Sequence, residues 1–378
     1  MKVIGLIAEY NPFHNGHLYQ IEKIKEKYPD SIIIVVMSGN FTQRGEISLL
    51  NKWDKTDIAL EYGCDLVVEL PFIFATQSAD NFARGAIQIL SMLGIDSLIF
   101  GSESNNIEKL TKVVTTQLYD ETYDLLVKTY LEKGNNYPTS MNKALEKCCH
   151  LSIIEPNDLL GISYMKEVFK QNKKISVETI KRTNSYYSKS LKNKIASATA
   201  IRDGFKKEKD ISKCVPKKTY SYLKHCAINE DLYFQLLKYK IMTCDDLSIY
   251  LDIDEGIENR IKANIKTSNT LDELIEKIKT KRYTYNKIKR ALLHIVCDFT
   301  KDLKDKNKNI SYIRILGMSS KGKRHLSRVK KDIYIPILSK YKPLLDYEMK
   351  ITSIYSLLIE KKNDLIQQEY KNHPIIKR

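Results

Sequence analysis

The chain has 378 residues, 43% apolar and 29% charged, which predicts a folded protein of two or three domains and excludes disorder and fibrous repeats. Its longest apolar run, residues 32–37, is six residues where a membrane helix needs about 20, and the early polar turn at Tyr10–Asn11 is unlike a signal peptide. The seven cysteines (64, 148, 149, 214, 226, 244, 297) include no CxxC pair, so reduced thiols and a cytoplasmic location are expected. The net charge of +16 is unevenly spread: residues 1–150 carry 14 basic and 19 acidic side chains, residues 151–378 carry 48 and 27. Lys-rich composition alone does not explain an acidic first part, so the basic part is expected to meet a polyanion.

In chain order, Val3–Ala8 reads as a buried parallel strand and residues 16–28 as a helix with Leu18, Ile21 and Ile24 on one face. Strands follow at 31–37, 65–70 and 97–100, separated by helices at 52–62 and 78–93. This alternation predicts a parallel sheet with right-handed crossovers, and ligands sit beyond the carboxyl ends of such strands. Residues 105–147 read as mostly helical, 175–180 as a strand and 197–207 as a helix. Beyond Asp210 no convincing parallel strand is expected. Helices fill 219–301, including 271–279 and 284–299; residues 302–309 read as a charged loop and 347–358 as a last helix. The expected fold class is α/β: a Rossmann-like parallel-sheet domain over 1–210, then a mainly α-helical basic domain over 211–378.

Two motifs carry chemistry. His14-Asn15-Gly16-His17 follows the first strand and opens the first helix, where free N–H groups and the helix dipole favour phosphate. Gly16 allows close backbone approach, and His14 and His17 can donate hydrogen bonds to charge developing on a phosphate or its leaving group. The second motif is IASATAIR (195–202), which resembles the ISSTxIR signature of adenylyltransferases. Ser197 and Thr199 would supply hydroxyls and Arg202 a bidentate donor to polyphosphate. Ala196 and Ala198 depart from that signature by one hydroxyl. A Lys-Met-Ser-Lys-Ser segment is absent, which argues against a class I aminoacyl-tRNA synthetase.

The strand–HxGH–helix unit resembles the HIGH-type nucleotidyltransferases. Within them, EYNPFHNGH (9–17), MSGNFTQRGE (37–46), ELPF (69–72), FGSE (100–103), EPNDLLGISY (155–164), IKR (180–182), SATAIR (197–202), KRYTYNKIKRALLHI (281–295) and YIRILGMSSKGK (312–323) resemble, in order, the bacterial tRNA(Met) cytidine acetate ligases. The resemblance implies a nucleotidyltransferase domain over 1–210 and a tRNA-binding domain over 211–378. It implies activation of acetate by ATP as acetyl-adenylate, release of pyrophosphate, and transfer of the acetyl group to N4 of the wobble cytidine (position 34) of elongator tRNA(Met). The catalytic residues would be His14, His17 and Arg202. The ATP site would comprise Ile7, Ala8, Glu9, Tyr10, Asn11, Pro12, Phe13, His14, Asn15, Gly16, His17, Leu18, Tyr19, Gln20, Gly101, Asn157, Lys181, Arg182, Ser197 and Thr199.

For RNA, the expected surface comprises Lys281, Arg282, Tyr283, Lys287, Lys289 and Arg290, with Tyr285 interleaved. A second cluster, Lys321, Lys323, Arg324 and Arg328, follows a flexible loop of Gly317, Ser319, Ser320 and Gly322. Arg44 is read either as a carboxylate holder or as a partner of Glu46; the role of Gln43 stays open. None of the seven His pairs with a Cys at zinc spacing, so no resident metal is expected, and Mg²⁺ would arrive with ATP. No obligate protein partner and no membrane contact are evident. Two other readings compete. A small-molecule adenylyltransferase has no use for the basic second part, and a non-catalytic RNA-binding protein has no use for an intact HNGH.

Overall fold

The computed structural model describes residues 1–171, 174–183, 190–191, 193–281, 283–359, 365–371 and 373–377. Among them lies one sheet of eight strands: β1 (Val3–Ala8), β2 (Ile32–Ser38), β3 (Leu66–Leu70), β4 (Ser97–Ser102), β5 (Ser176–Lys181), β6 (Ile313–Ser319), β7 (Ile337–Leu338) and β8 (Ile375–Lys377). Their order is β5-β4-β1-β2-β3-β6-β7, with β8 also paired to β6. Strands β1 to β5 are all parallel, as the short alternation of strands and helices predicts.

Helices cover both faces, and β2 shows why its sequence reads as a continuous apolar run. Ile33, Val35 and Met37 enter one core with Phe13, Trp53 and Leu60; Ile32, Ile34 and Val36 enter the other with Phe82, Leu90 and Val113. The first core continues into Leu237, Ile275, Leu292 and Ile351, so it runs across residue 210.

The expectation of no convincing parallel strand beyond Asp210 does not hold, because β7 and β8 pair parallel with a third late strand, β6. β6 pairs antiparallel with β3, and β7 and β8 extend the sheet from it. β6 is disguised in the sequence by Arg314, which stands at a fully buried position. Its charge is met there. Arg314 Nη1 lies 3.0 Å from Glu69 Oε2 and Nη2 reaches Glu369, while Lys52 Nζ lies 2.8 Å from both Glu69 Oε1 and Glu369 Oε1. These four side chains are 4% exposed or less. A fifth, Glu348, accepts the Phe72 N–H at 2.7 Å. Burial, reinforced by Glu69, pushes its carboxyl up to about 7.

Two expected loops are also ordered differently. Residues 302–309 begin inside a helix, Lys301–Lys306, capped by Thr300. The expected flexible loop at 317–322 is instead the end of β6 and the start of the Ser320–Val329 helix. Ser319 caps that helix through its Oγ, which accepts the Gly322 N–H at 3.1 Å.

Candidate active site

A pocket opens beyond the carboxyl ends of β1, β4 and β5. Two helix N-termini face it: that of Asn15–Lys27, capped by His14, and that of Ala198–Lys206, capped by Ser197. At the first cap, His14 Nδ1 accepts the Gly16 N–H at 3.0 Å, and the His14 N–H donates to His17 Nδ1 at 3.2 Å. This is the reciprocal capping normally made by Ser or Thr with Glu or Gln, here built from two imidazoles. Because each Nδ1 is an acceptor, the proton of each neutral ring sits on Nε2. The rings stack with centroids 3.8 Å apart. Gly16 packs so closely that a Cβ there would lie 2.8 Å from His14 Cε1. Burial, then Arg182 and Arg202, lowers His14 to about 3; burial, His14 and Arg182 lower His17 as well. At neutral pH both residues are uncharged hydrogen-bond donors.

At the second cap, Ser197 Oγ accepts the Ala200 N–H at 3.1 Å. One turn on, Arg202 Nη1 donates to the Asn11 carbonyl at 2.9 Å, and Nη2 lies 3.1 Å from Glu46 Oε2. The other oxygen of Glu46 lies 3.6 Å from Lys289 Nζ. Burial alone would raise this carboxyl, but Arg202, Lys289 and Arg44 outweigh it and hold Glu46 below its ordinary value. Glu46 therefore stays ionised.

On the β4–β5 side, Glu103 is the organiser. It accepts from Asn157 Nδ2 and, at 3.1 Å, from the Asp158 N–H, and it lies 3.6 Å from Arg182 Nε. Gly101 leaves room beside Arg182, whose Cγ would lie 3.4 Å from a Cβ there. Phe82, Phe100, Leu160 and Tyr164 form an apolar wall. The pocket thus offers two neutral imidazoles, the three guanidiniums of Arg44, Arg182 and Arg202, two helix N-termini and a flat apolar surface. That set suits a nucleoside polyphosphate.

A family model described as HIGH Nucleotidyl Transferase matches residues 1–370. The chain belongs to that family. Curated relatives include the tRNA(Met) cytidine acetate ligase of Geobacillus sp. (strain WCH70), 37% identical over 400 residues and 100% of both chains. That of Caldicellulosiruptor bescii is 38% identical over 395 residues, covering 99% of this chain and 98% of that one. Among solved structures, Thermotoga maritima TmcAL bound with alpha-thio ATP matches at TM-score 0.91 with 30% identity over 100% of both chains, and its apo form at 0.93. The similarity to the acetate ligases of this HIGH family is therefore of full length, as the ordered motifs imply.

The pocket gathers most of the expected nucleotide residues. Ile7, Ala8, Glu9, Tyr10, Asn11, His14, Gly16, His17, Tyr19 and Gln20 line it, as do Gly101, Asn157, Lys181, Arg182, Ser197, Thr199 and Arg202. Four expected residues do not. Phe13 is fully buried, stacked on Tyr62 at 5.5 Å and edge-on to Tyr10 at 4.8 Å. Asn15 Nδ2 instead ties down the Lys194 and Lys213 carbonyls at 2.7 and 2.8 Å. Leu18 packs on the core, and Pro12 lies outside the lining. Fourteen consecutive residues that turn into a helix cannot all face one side. Of the open positions, Gln43, Arg44 and Glu46 do line the pocket. Glu46 pairs with Arg202, while the Gln43 N–H donates to Glu9 Oε1 at 2.6 Å. The apolar wall and Glu103 were missed as site residues, although FGSE and EPNDLLGISY contain most of them.

The expected RNA residues fall on two separate surfaces. Lys287, Lys289 and Arg290 lie on the Tyr285–Cys297 helix, which abuts the pocket. Gly45, at φ +74°, packs there so tightly that a Cβ would lie 2.6 Å from the Arg290 nitrogen. Lys281 is exposed beside this helix, and Arg282 lies outside the described residues. Tyr283 is corrected: its ring is 3% exposed and its hydroxyl donates to the Asp254 carbonyl, so it cannot stack on a base. Lys287 instead covers that ring at 4.2 Å, and Arg290 is held 3.0 Å from Asp252. Lys321, Lys323, Arg324 and Arg328 are exposed on the Ser320–Val329 helix. That helix is fixed to the opposite end of the sheet: the Ser319 N–H donates to the Asp65 carbonyl at 2.8 Å, just before β3, and His325 contacts the Leu93 carbonyl at 2.7 Å. About 20 Å of strand separates it from the pocket.

Among the described residues no group of three or more His, Cys, Asp or Glu side chains converges on a metal site, and no helix is long and apolar enough to cross a membrane.

Proposed function

We infer that this chain is an ATP-dependent tRNA(Met) cytidine acetate ligase acting in the cytoplasm. The observation that carries the reading is the pair of neutral imidazoles fixed by the HNGH cap, facing Arg182 and Arg202 across the pocket. The full-length similarity to the acetate ligases supports it.

In the first half-reaction, an acetate oxygen attacks the α-phosphorus of ATP and the bond to the β-phosphate oxygen breaks. Acetyl-adenylate forms and pyrophosphate leaves. No protein nucleophile is needed; positioning and charge stabilisation do the work. The Nε2–H groups of His14 and His17 donate to the α-phosphate as it becomes five-coordinate, and Arg202 holds the leaving pyrophosphate. Gly101, Asn157, Arg182 and the apolar wall seat the adenosine. Mg²⁺ enters as part of the ATP substrate, coordinated by its phosphates.

In the second half-reaction, cytidine N4 attacks the acetyl carbonyl, the bond to the phosphate oxygen breaks, AMP leaves and N4 gives up a proton. The wobble base lies in a loop, from which it can be turned out into a pocket. We assign delivery of the RNA to Lys281, Lys287 and Lys289, on or beside the helix that abuts the pocket, ahead of the far-edge cluster.

The test is AMP formation from ATP and Mg²⁺, with and without acetate and bacterial tRNA. Acetate-dependent AMP, with labelled acetyl appearing in tRNA and lost in His17→Ala, is the expected result. AMP release indifferent to acetate and tRNA overturns the reading and favours a small-molecule adenylyltransferase.

A further inference from the structure

Glu46 stands between the two halves of the reaction. Residues 42–46 form a tight turn: the Gly45 N–H donates to the Thr42 carbonyl at 3.0 Å and the Glu46 N–H to Thr42 Oγ1 at 3.2 Å. The tip of the turn rests on the backbone at Lys289 and Arg290 through Gly45. The Glu46 carboxylate then faces two cations from opposite sides, Arg202 on the pocket side and Lys289 on the outer helix. Arg44 adds a further positive charge nearby.

We propose that Glu46 is a positioning residue that makes polyphosphate and RNA compete energetically, so that RNA arrival loosens pyrophosphate. The inference rests on the assignment of Arg202 to polyphosphate and Lys289 to RNA. A polyphosphate draws Arg202 off Glu46, and an RNA phosphate draws Lys289 off it. Either loss alone leaves the carboxylate one strong partner. Both together leave a mostly buried anion with Arg44 as its remaining nearby cation. The two ligands therefore oppose each other by a coupling free energy, and linkage makes the effect reciprocal. The sign is useful: the RNA that consumes acetyl-adenylate also weakens the hold on pyrophosphate, whose return would reverse the first step.

The experiment measures the Kd of Mg²⁺-pyrophosphate and of a non-hydrolysable ATP analogue by calorimetry, without acetate, with and without saturating unmodified elongator tRNA(Met) transcript. In the unmodified protein, tRNA is expected to weaken both ligands by about fivefold or more. In Glu46→Gln, which keeps the shape and removes the charge, the tRNA effect disappears and both ligands bind more tightly than in the unmodified protein. Lys289→Met, at the rim and not in the core, also abolishes the tRNA effect and so stands in if the first variant does not fold. A wild-type Kd indifferent to tRNA, or coupling that survives Glu46→Gln, overturns the proposal. Arg202→Met and Lys289→Met separate the two levels. If neither weakens its assigned ligand, the site assignment fails; if both do and Glu46→Gln keeps the coupling, only the role of Glu46 fails.

Discussion

Two clusters of charge lie close together in this molecule, and they are built on opposite principles. In the core cluster, Lys52 and Arg314 meet Glu69 and Glu369 pairwise, all essentially sealed from water, with Glu348, its carboxyl pushed up to about 7, beside them. In the pocket, Arg182, Arg202 and Lys181 share an open space with neutral imidazoles, and Glu9 and Glu46 are the carboxylates in its lining. The first cluster is closed on itself and joins the helix Lys52–Glu61, β3, β6 and the helix Leu365–Lys371. The second keeps an excess of positive charge beside helix N-termini even with Arg202 against Glu46 and Arg182 near Glu103, and an incoming anion can meet that excess. Charge that is balanced holds a fold together; charge left unbalanced in a cavity marks what the cavity binds.

The comparison can be broken most sharply at the core. Arg314→Met leaves Glu69 and Glu369 short of a buried partner and is expected to cost about 3–5 kcal/mol in urea unfolding. A loss below about 1 kcal/mol, the range of an exposed pair, would show that the cluster holds nothing together. In the pocket, His17→Ala is expected to lower kcat for acetate-dependent AMP formation by about 10²–10³-fold, the effect of removing one oriented donor, with little change in unfolding free energy. A variant that instead lost stability and kept its rate would reverse the roles of the two clusters.

The clusters also differ in the sign of their pH response. His14 is drawn down to about 3 in the fold, so the unfolded chain takes up its proton first as pH falls below 6.5. Its contribution to stability is therefore lost as pH falls from about 6.5 toward 3. Glu348 is raised to about 7, so its contribution is present below its ordinary carboxyl range and is lost as pH rises toward 7. Between about pH 4.5 and 6.5 the two slopes oppose, each limited to about 1.4 kcal/mol per pH unit. Urea unfolding at pH 5, 5.5 and 6 checks this. Glu348→Gln should make stability rise more steeply with pH, and His14→Asn should tilt it the other way; the same tilt in both variants refutes the assignment.

The smallest expected effect separates the basic surfaces. Replacing Lys287 and Lys289 by Gln should weaken tRNA binding and lower its salt dependence by about two counterions, while Lys321 and Lys323 replaced by Gln should change both less. Equal losses would mean that the RNA wraps to the far end of the sheet.

The parts of the architecture legible in the sequence are those written in consecutive residues. Strand, HNGH and helix are contiguous, and the parallel sheet follows from short alternation. What stayed hidden depends on distant residues. β6 carries Arg314 where an apolar residue is expected, and only Glu69 and Glu369, far away in the chain, make that burial affordable. Tyr283 reads as an RNA-facing aromatic until the Asp254 carbonyl claims its hydroxyl. The basic residues 321–328 read as part of the RNA surface, and their place at the far end of the sheet stays hidden, because charge is visible in a sequence and placement is not. Asn15 and Leu18 turn away from the pocket because successive helical residues point about 100° apart, and Phe13, before the helix, packs into the core.

The imidazole cap has a further consequence. The intermediate this pocket is built to make is an acylating agent, held within reach of side chains that could be damaged by it. A neutral imidazole attacks acyl groups through its unprotonated nitrogen. In His14 that nitrogen is engaged by the Gly16 N–H, and in His17 by the His14 N–H. Guanidiniums offer no lone pair at neutral pH, and Lys181, the lysine in the lining, donates to the Glu103 carbonyl. The hydrogen bonds that aim the donors at the phosphate also silence the rings as nucleophiles, so the two imidazoles are protected from the acylating product they help to make.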